Sequence, residues 1–204
     1  THQCRTQRYG GPNRQSEAGT VSLIVLAGPA GVGKGTLVSW LLDNAEGYTL
    51  SVSATTRSPR PGEKDGVHYR FVEKARFEQL IADNQLLEWA TVHGDNYYGT
   101  LLDELTRADA EGLHLLLEID LQGARQVMET RPTAITIFIH PPSFEVLESR
   151  LRERATETES QIQTRLRNAR AEIASAEEFD YELINDDLAQ TGKDILKIVS
   201  ESEG

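Results

Sequence analysis

Apolar residues along this chain fall into short blocks with two alternating spacings. "VSLIVLAG" (21–28) is an apolar run ended by Gly-Pro, which predicts a buried strand. "KGTLVSWLLDNA" (34–45) carries Leu37, Val38, Trp40, Leu41 and Leu42 and predicts a helix. "YTLSVSATT" (48–56) alternates, is rich in Thr, Ser and Val, and predicts one strand. "RSPRPGEKDG" (57–66) holds two prolines and two glycines and excludes regular helix. Phe77, Leu80 and Ile81 place a short amphipathic helix in "ARFEQLIADN" (75–84).

The same alternation continues to the end. "LHLLLEID" (113–120) and "AITIFIH" (134–140) read as further buried strands. After Pro141-Pro142, Ser143 is placed to cap a helix carrying Phe144, Leu147 and Leu151. Ile162, Leu166, Ala169 and Ile173 mark another helix. "YELIND" (181–186) is a last short strand, and Leu188, Ile195, Ile198 and Val199 mark a closing helix. Apolar strands alternating with helices predict an α/β fold whose central parallel sheet is flanked by helices on both faces.

The loop between the first strand and first helix brings in chemistry. In "AGPAGVGKGT" (27–36), Gly28, Gly33 and Lys34 satisfy G-x-x-x-x-G-K, while Gly35 stands where Ser or Thr is expected. Glycines let successive N–H groups turn inward on phosphate oxygens, the helix N-terminus adds its positive dipole end, and Lys34 adds a point charge. A dinucleotide-binding turn does not fit, because Gly31-Val32-Gly33 is followed by Lys34, Gly35 and Thr36. Gly35 removes one direct magnesium ligand and leaves phosphate binding intact. Magnesium tolerates the loss because it keeps several waters.

Further along, Arg57 and Arg60 stand three apart in a proline-stiffened segment with Tyr69 nearby, a set suited to one bound phosphate. Surface arginines and core aromatics are the plain alternative. "LLEWATVHGDNYYGT" (86–100) adds Glu88, Tyr97, Tyr98 and Thr100. Glu118 and Asp120, at i and i+2 on the predicted strand, would share one face and could order hydrated magnesium. From Arg150 to Arg170 there are six arginines and three glutamates, a local +3 in a chain of net charge −11. That overall charge argues against a nucleic-acid surface.

From Val21 to about Val199 the chain resembles the guanylate kinases, on the blocks "AGPAGVGKGT", "SVSATTRSPRPGEKDGVHY", "LLEWATVHGDNYYGT", "LLLEIDLQGA", "IFIHPPS", "LESRLRERATETESQIQTRL" and "LINDD". The resemblance implies a phosphate-loop kinase moving the γ-phosphate of ATP, with Mg2+, to GMP and also to dGMP. It implies a core at 20–52, 101–142 and 176–204, an inserted GMP-binding lobe at about 53–100, and a helical lid at about 143–175. Ser53, Glu88 and Asp120 would lie near guanine. Arg57, Arg60, Tyr69 and Tyr98 would hold the GMP phosphate, with Gly99 and Thr100 alongside. Gly28, Pro29, Ala30, Gly31, Val32, Gly33, Lys34, Gly35 and Thr36 would surround the ATP phosphates, and Asn185 would approach adenine. Lys34, Arg57, Arg154 and Arg165 are the implied catalytic set, with Arg154 and Arg165 belonging to the lid. Two departures stand out: Gly35 replaces the usual Ser, as in adenylate kinases, and Ala155 replaces a Gly common after the lid arginine.

Glu88 has its own chemical argument. Guanine offers N1–H and N2–H₂ side by side, and an ionised carboxylate can accept both. The rival reading is a non-catalytic guanylate-kinase-like module that binds proteins, which is expected to lose the phosphate loop that is intact here. A related kinase acting on another nucleotide or a sugar phosphate is the second rival. Cys4 is the single cysteine and no apolar run has membrane-spanning length, so a cytoplasmic setting without disulfide or membrane partner is expected. Residues 1–19 carry almost nothing apolar and no signal-peptide core, and are expected to be a mobile tail. The five histidines, at 2, 68, 93, 114 and 140, show no zinc-ligand spacing.

Overall fold

A computed structural model describes residues 21–92, 95–153 and 158–202. The expected tail, together with His93, Arg154 and Ala155, lies outside the described residues. The core is a five-stranded sheet in the order β2-β7-β1-β8-β9: β1 (Leu23–Ala27), β2 (Tyr48–Leu50), β7 (His114–Glu118), β8 (Ile135–His140) and β9 (Tyr181–Ile184). Every pairing in it is parallel. That follows from the sequence: β1 is apolar throughout, and β7 and β8 carry unbroken apolar middles, Leu115–Leu117 and Ile137–Ile139, which only a sheet covered on both faces can bury.

Helices supply the cover. On one face α1 (Lys34–Asn44), α7 (Leu188–Ser202), α5 (Phe144–Glu153) and α6 (Glu159–Ile173) pack around Ile24, Leu26, Ile137 and Ile139. On the other, α3 (Asp103–Glu111) and α4 (Leu121–Thr130) close over Val25, Leu115, Leu117 and Phe138. Alternate residues of one strand thus feed two separate cores. Ser143 caps α5 as expected, its Oγ accepting from Val146 N–H at 3.3 Å.

A second sheet, in the order β4-β3-β6-β5, stands apart from the first: β3 (Ala54–Thr55), β4 (Arg70–Phe71), β5 (Leu86–Val92) and β6 (Asn96–Leu101), with α2 (Lys74–Ala82) inserted. Two expectations are corrected here. The segment 48–56 is not one strand: β2 pairs with β7 in the core sheet, and β3 pairs with β4 and β6 in the second. Alternation and β-branched residues suit both pieces equally, so composition does not mark the crossing at 51–53. The strand at 113–120 likewise ends at Glu118. Asp120 is the N-cap of α4, its Oδ1 accepting from Gly123 N–H at 2.8 Å, so Glu118 and Asp120 do not share a strand face.

Phe138 is fully buried and meets Phe179 edge-on at 5.2 Å between ring centres, in the layer that carries α4. Phe138→Ala should lower stability by about 3–5 kcal/mol. Urea denaturation checks this, and a loss under about 1 kcal/mol would mean the layer can collapse into the gap.

Candidate active site

Between β1 and α1 the backbone takes positive φ at Gly28 (145°), Gly31 (89°) and Gly33 (100°). Side chains are also excluded by contact at two of these. A Cβ on Gly28 would overlap the Ile139 carbonyl oxygen, and one on Gly33 would lie 2.7 Å from Asn185 Nδ2. The Val32 carbonyl is gripped from behind, accepting from Asn185 Nδ2 at 2.9 Å and Arg150 Nη1 at 3.0 Å. Lys34 Nζ folds back across the loop to the Gly28 carbonyl, 2.7 Å away. The result is a rigid ring of backbone at a helix N-terminus, with an ammonium group at its mouth.

The second sheet carries a different cluster. Arg57 Nε donates to the Tyr98 hydroxyl at 3.0 Å, and its two Nη atoms each reach Glu63 at 2.9 Å. Its guanidinium also lies 5.3 Å from the Tyr69 ring centre. Glu63 further accepts from Arg60 N–H at 2.6 Å. The Arg57 guanidinium and the Arg60 amide hold the Glu63 carboxyl down at about 2, and Arg57 is raised in turn. Tyr69, edge-on to Tyr98 at 6.0 Å, has its phenol raised by burial. Glu63 was not read from the sequence as part of this cluster. Its signal is faint, an acid one residue after Pro61-Gly62, where the turn returns the chain toward Arg57.

Glu88, on β5, is 4% exposed. Its Oε1 accepts from the Thr100 hydroxyl at 2.7 Å, across the β5–β6 pair. Its Oε2 lies against Gly123 in the first turn of α4, where any Cβ would overlap it. Burial pushes the carboxyl up to about 7, Asp120 adding to the shift and Thr100 opposing it. With the folded value raised, the neutral form is favoured. Glu88's contribution to stability is complete below the ordinary carboxylate range and is lost as pH rises through about 7. Gln126 of α4 locks the adjacent backbone, donating to the Trp89 carbonyl at 2.6 Å and accepting from its N–H at 3.1 Å. Gly123 and Gln126 both escaped the sequence reading, because nothing local announces a contact across 35 residues or more.

One cavity of about 660 Å³ joins these parts. Gly28, Ala30, Gly31, Gly33, Lys34, Gly35 and Thr36 line one end. Ser53, Arg57, Arg60, Tyr69, Glu88, Tyr98 and Gly99 line the cavity from the other lobe, and Glu118, Asp120 and Arg165 line it as well. Asn168 and Glu172, on the same helix as Arg165, also face it, and burial raises the Glu172 carboxyl against the opposing pull of Lys34. Pro29, Val32, Thr100 and Asn185 are not among the lining residues. Thr100 stands behind Glu88, and Asn185 is buried under the loop.

The strand, the left-handed glycines and the lysine at a helix start define a phosphate-loop nucleotide-binding protein of the α/β class. The sequence model for "Guanylate kinase" matches residues 20–202. The guanylate kinase of Synechocystis sp. is 50% identical over 94% of this chain and 99% of its own length. That of Neisseria meningitidis serogroup A is 49% identical over 88% of this chain and 87% of its own length. The crystal structure of guanylate kinase from Anaplasma phagocytophilum superposes with a TM-score of 0.72 at 35% identity, covering 91% of this chain and 87% of that one. The chain belongs to the guanylate kinase family.

Gly123→Ala tests the close approach of α4 to Glu88. In an open helix the change would add about 1 kcal/mol of stability. Here the methyl group must displace Glu88, and overpacking of this kind costs about 1–3 kcal/mol. The variant should therefore be less stable than its parent by denaturant titration; a more stable variant would show that Glu88 moves aside freely.

Proposed function

We propose that this chain transfers the γ-phosphate of ATP to GMP, giving ADP and GDP, with dGMP as a second acceptor. Support comes from the family and from the joining of two phosphate-binding clusters in one cavity. The Lys34 loop suits the ATP phosphates, and Arg57, Arg60, Tyr69 and Tyr98 suit the monophosphate. Glu88 would read guanine, with Ser53 and Asp120 nearby. An ionised carboxylate takes N1–H and N2–H₂ together, while adenine presents a bare acceptor there and leaves it unpaired.

The chemistry asks for alignment and charge more than proton transfer. A phosphate oxygen of GMP, already ionised near neutral pH, forms a bond to the γ-phosphorus as the bond to the β,γ-bridging oxygen breaks. Lys34 and Arg165 would stabilise charge on the transferred group, with Arg154 expected to join them. Arg57 would fix the acceptor in line. A closing lid over 143–175 would exclude water and prevent hydrolysis.

For magnesium the donors fit in a limited way. Glu118 is exposed toward the cavity, with its carboxylate oxygens at 3.5 and 3.8 Å from where a Cβ on Gly35 would lie. Among the described residues no group of three or more acidic, histidine or cysteine side chains could form a cage. Glu118 and Asp120 would be the residues that help hold a hydrated magnesium ion, which would supply charge neutralisation on the ATP phosphates. Among the described residues no helix is long and apolar enough to cross a membrane. The proposal further takes the enzyme to be cytoplasmic, in purine nucleotide metabolism, and to act on small molecules rather than nucleic acid. A protein-binding module without catalysis is disfavoured by the intact Lys34 loop.

Two variants test the reading. Lys34→Met should keep the fold, as judged by thermal melting, and reduce kcat by several orders of magnitude; near-normal turnover would remove the kinase assignment. For base choice, kcat/KM should favour GMP over AMP by roughly 10⁴ or more in the parent. Glu88→Gln should lose most of that ratio, and an unchanged ratio would take Glu88 out of guanine recognition.

A further inference from the structure

The chain crosses between its two sheets at 51–53 on the way out and at about 102 on the way back. Beside both crossings sits Glu104, in the first turn of α3, with no exposed side-chain surface. Its carboxylate accepts from three directions. Val52 N–H, on the outgoing crossing, donates at 3.1 Å, and Arg107 Nη2 of α3 itself donates at 2.8 Å. Arg70 Nη2, from β4 of the second sheet, makes the third bond. Both arginines then extend the grip. Arg107 reaches the Leu50 carbonyl and the Thr49 hydroxyl of β2, each at 3.1 Å. Arg70 reaches Asp103 at 2.9 Å.

The consequence falls on Ser53. The residue before it is held by Glu104 through Val52 N–H, and its own carbonyl accepts from Arg70 N–H at 2.9 Å. Ser53 lines the cavity; Glu104, Arg70 and Arg107 do not. A buried carboxylate bonded to two cations and a backbone amide, each from a different segment, ties the segments more firmly than a surface pair would, since removing any one partner leaves a buried charge short of donors. Among the described residues the side-chain partners of Glu104 are Val52, Arg70 and Arg107, which lie outside the Lys34 loop.

We propose that Glu104 is a positioning residue for the acceptor half of the site: with Arg70 it sets the junction between the sheets, and through Val52 it sets the place of Ser53 and of the lobe that follows. This rests on the reading of that lobe as the GMP side. An error at the junction moves the GMP contacts relative to the ATP loop, and displacements of this size are felt strongly in bound geometry.

The test compares Glu104→Gln with Arg70→Gln. The first keeps the shape and one acceptor oxygen. The second, at a side chain 35% exposed, leaves Glu104 with Val52 and Arg107, and so serves if the first fails to fold. KM for GMP and for ATP are measured separately, together with Kd for each nucleotide alone by calorimetry. The expected result is a rise of about tenfold or more in KM and Kd for GMP, with the ATP values within about twofold of the parent. Arg70→Lys, which keeps the charge, should recover part of the loss. Equal changes in both nucleotides, or a lower melting temperature with unchanged GMP binding, overturns the proposal and leaves Glu104 as a stability element. A parent that does not phosphorylate GMP overturns the function reading itself, and this inference with it.

Discussion

Glu88 loses nearly all of its water to sit between the Thr100 hydroxyl and the first turn of α4, and much of the second sheet follows from holding it there. Its acceptor bond fixes the pairing of β5 with β6. At Gly99, next to Thr100, a Cβ would come 2.6 Å from the Glu88 carbonyl, so the strands approach more closely than a larger residue would allow. Gly123 is bare for the same reason on the helix side. Gln126 then seals the edge of β5 to α4 through both backbone groups of Trp89. Burial leaves the group near the midpoint of its titration at neutral pH, ready to be converted fully to carboxylate by a ligand that brings two donors.

The cations of the cavity are held in a complementary way. Arg57 is paired with Glu63 and braced by Tyr98, and Lys34 is drawn to the Gly28 carbonyl. Each has an internal partner in the protein alone, which keeps long flexible side chains near their working positions. If Arg57 takes the acceptor phosphate as proposed, that phosphate would compete with the Glu63 carboxylate already in place, and part of its electrostatic gain would go into the exchange. The site is organised before ligands arrive, and the fold does most of that work through backbone. The Val32 carbonyl of the loop is fixed by Asn185 and Arg150, and the outgoing crossing is fixed by Glu104.

The three inner strands of the core sheet, β1, β7 and β8, were legible because their middles are apolar on both faces and the runs stop at Gly, Pro or a helix cap. The phosphate loop was legible because its glycines are demanded by backbone geometry that other residues rarely adopt. The two helices α3 and α4 were not read, since DELTRADAE and LQGARQVMET carry few large apolar residues and bury Glu104 and Gly123 instead. The break at 51–53 escaped for a related reason: Ser and Val suit either sheet, and only the long-range bonds of Val52 and Ser53 separate them. Asp120 was read as strand because Ile119 continues the apolar run, yet its side chain caps a helix. Glu63, Gly123 and Gln126 act through partners distant in sequence or around a turn, and no local pattern marks such contacts.

The central claim is that burial leaves Glu88 about half protonated at pH 7 in the free protein and that it becomes a full carboxylate on guanine. Calorimetric titration with GMP at pH 7, repeated in buffers of different ionisation enthalpy, counts the protons released. The phosphate of GMP, with a second ionisation near pH 6, contributes alike in the parent and in Glu88→Gln. The parent should release about half a proton more than Glu88→Gln at pH 7, as follows from a free-state value of about 7, and the excess should shrink at higher pH. Equal proton release by the two proteins, or proton uptake by the parent, would contradict the account.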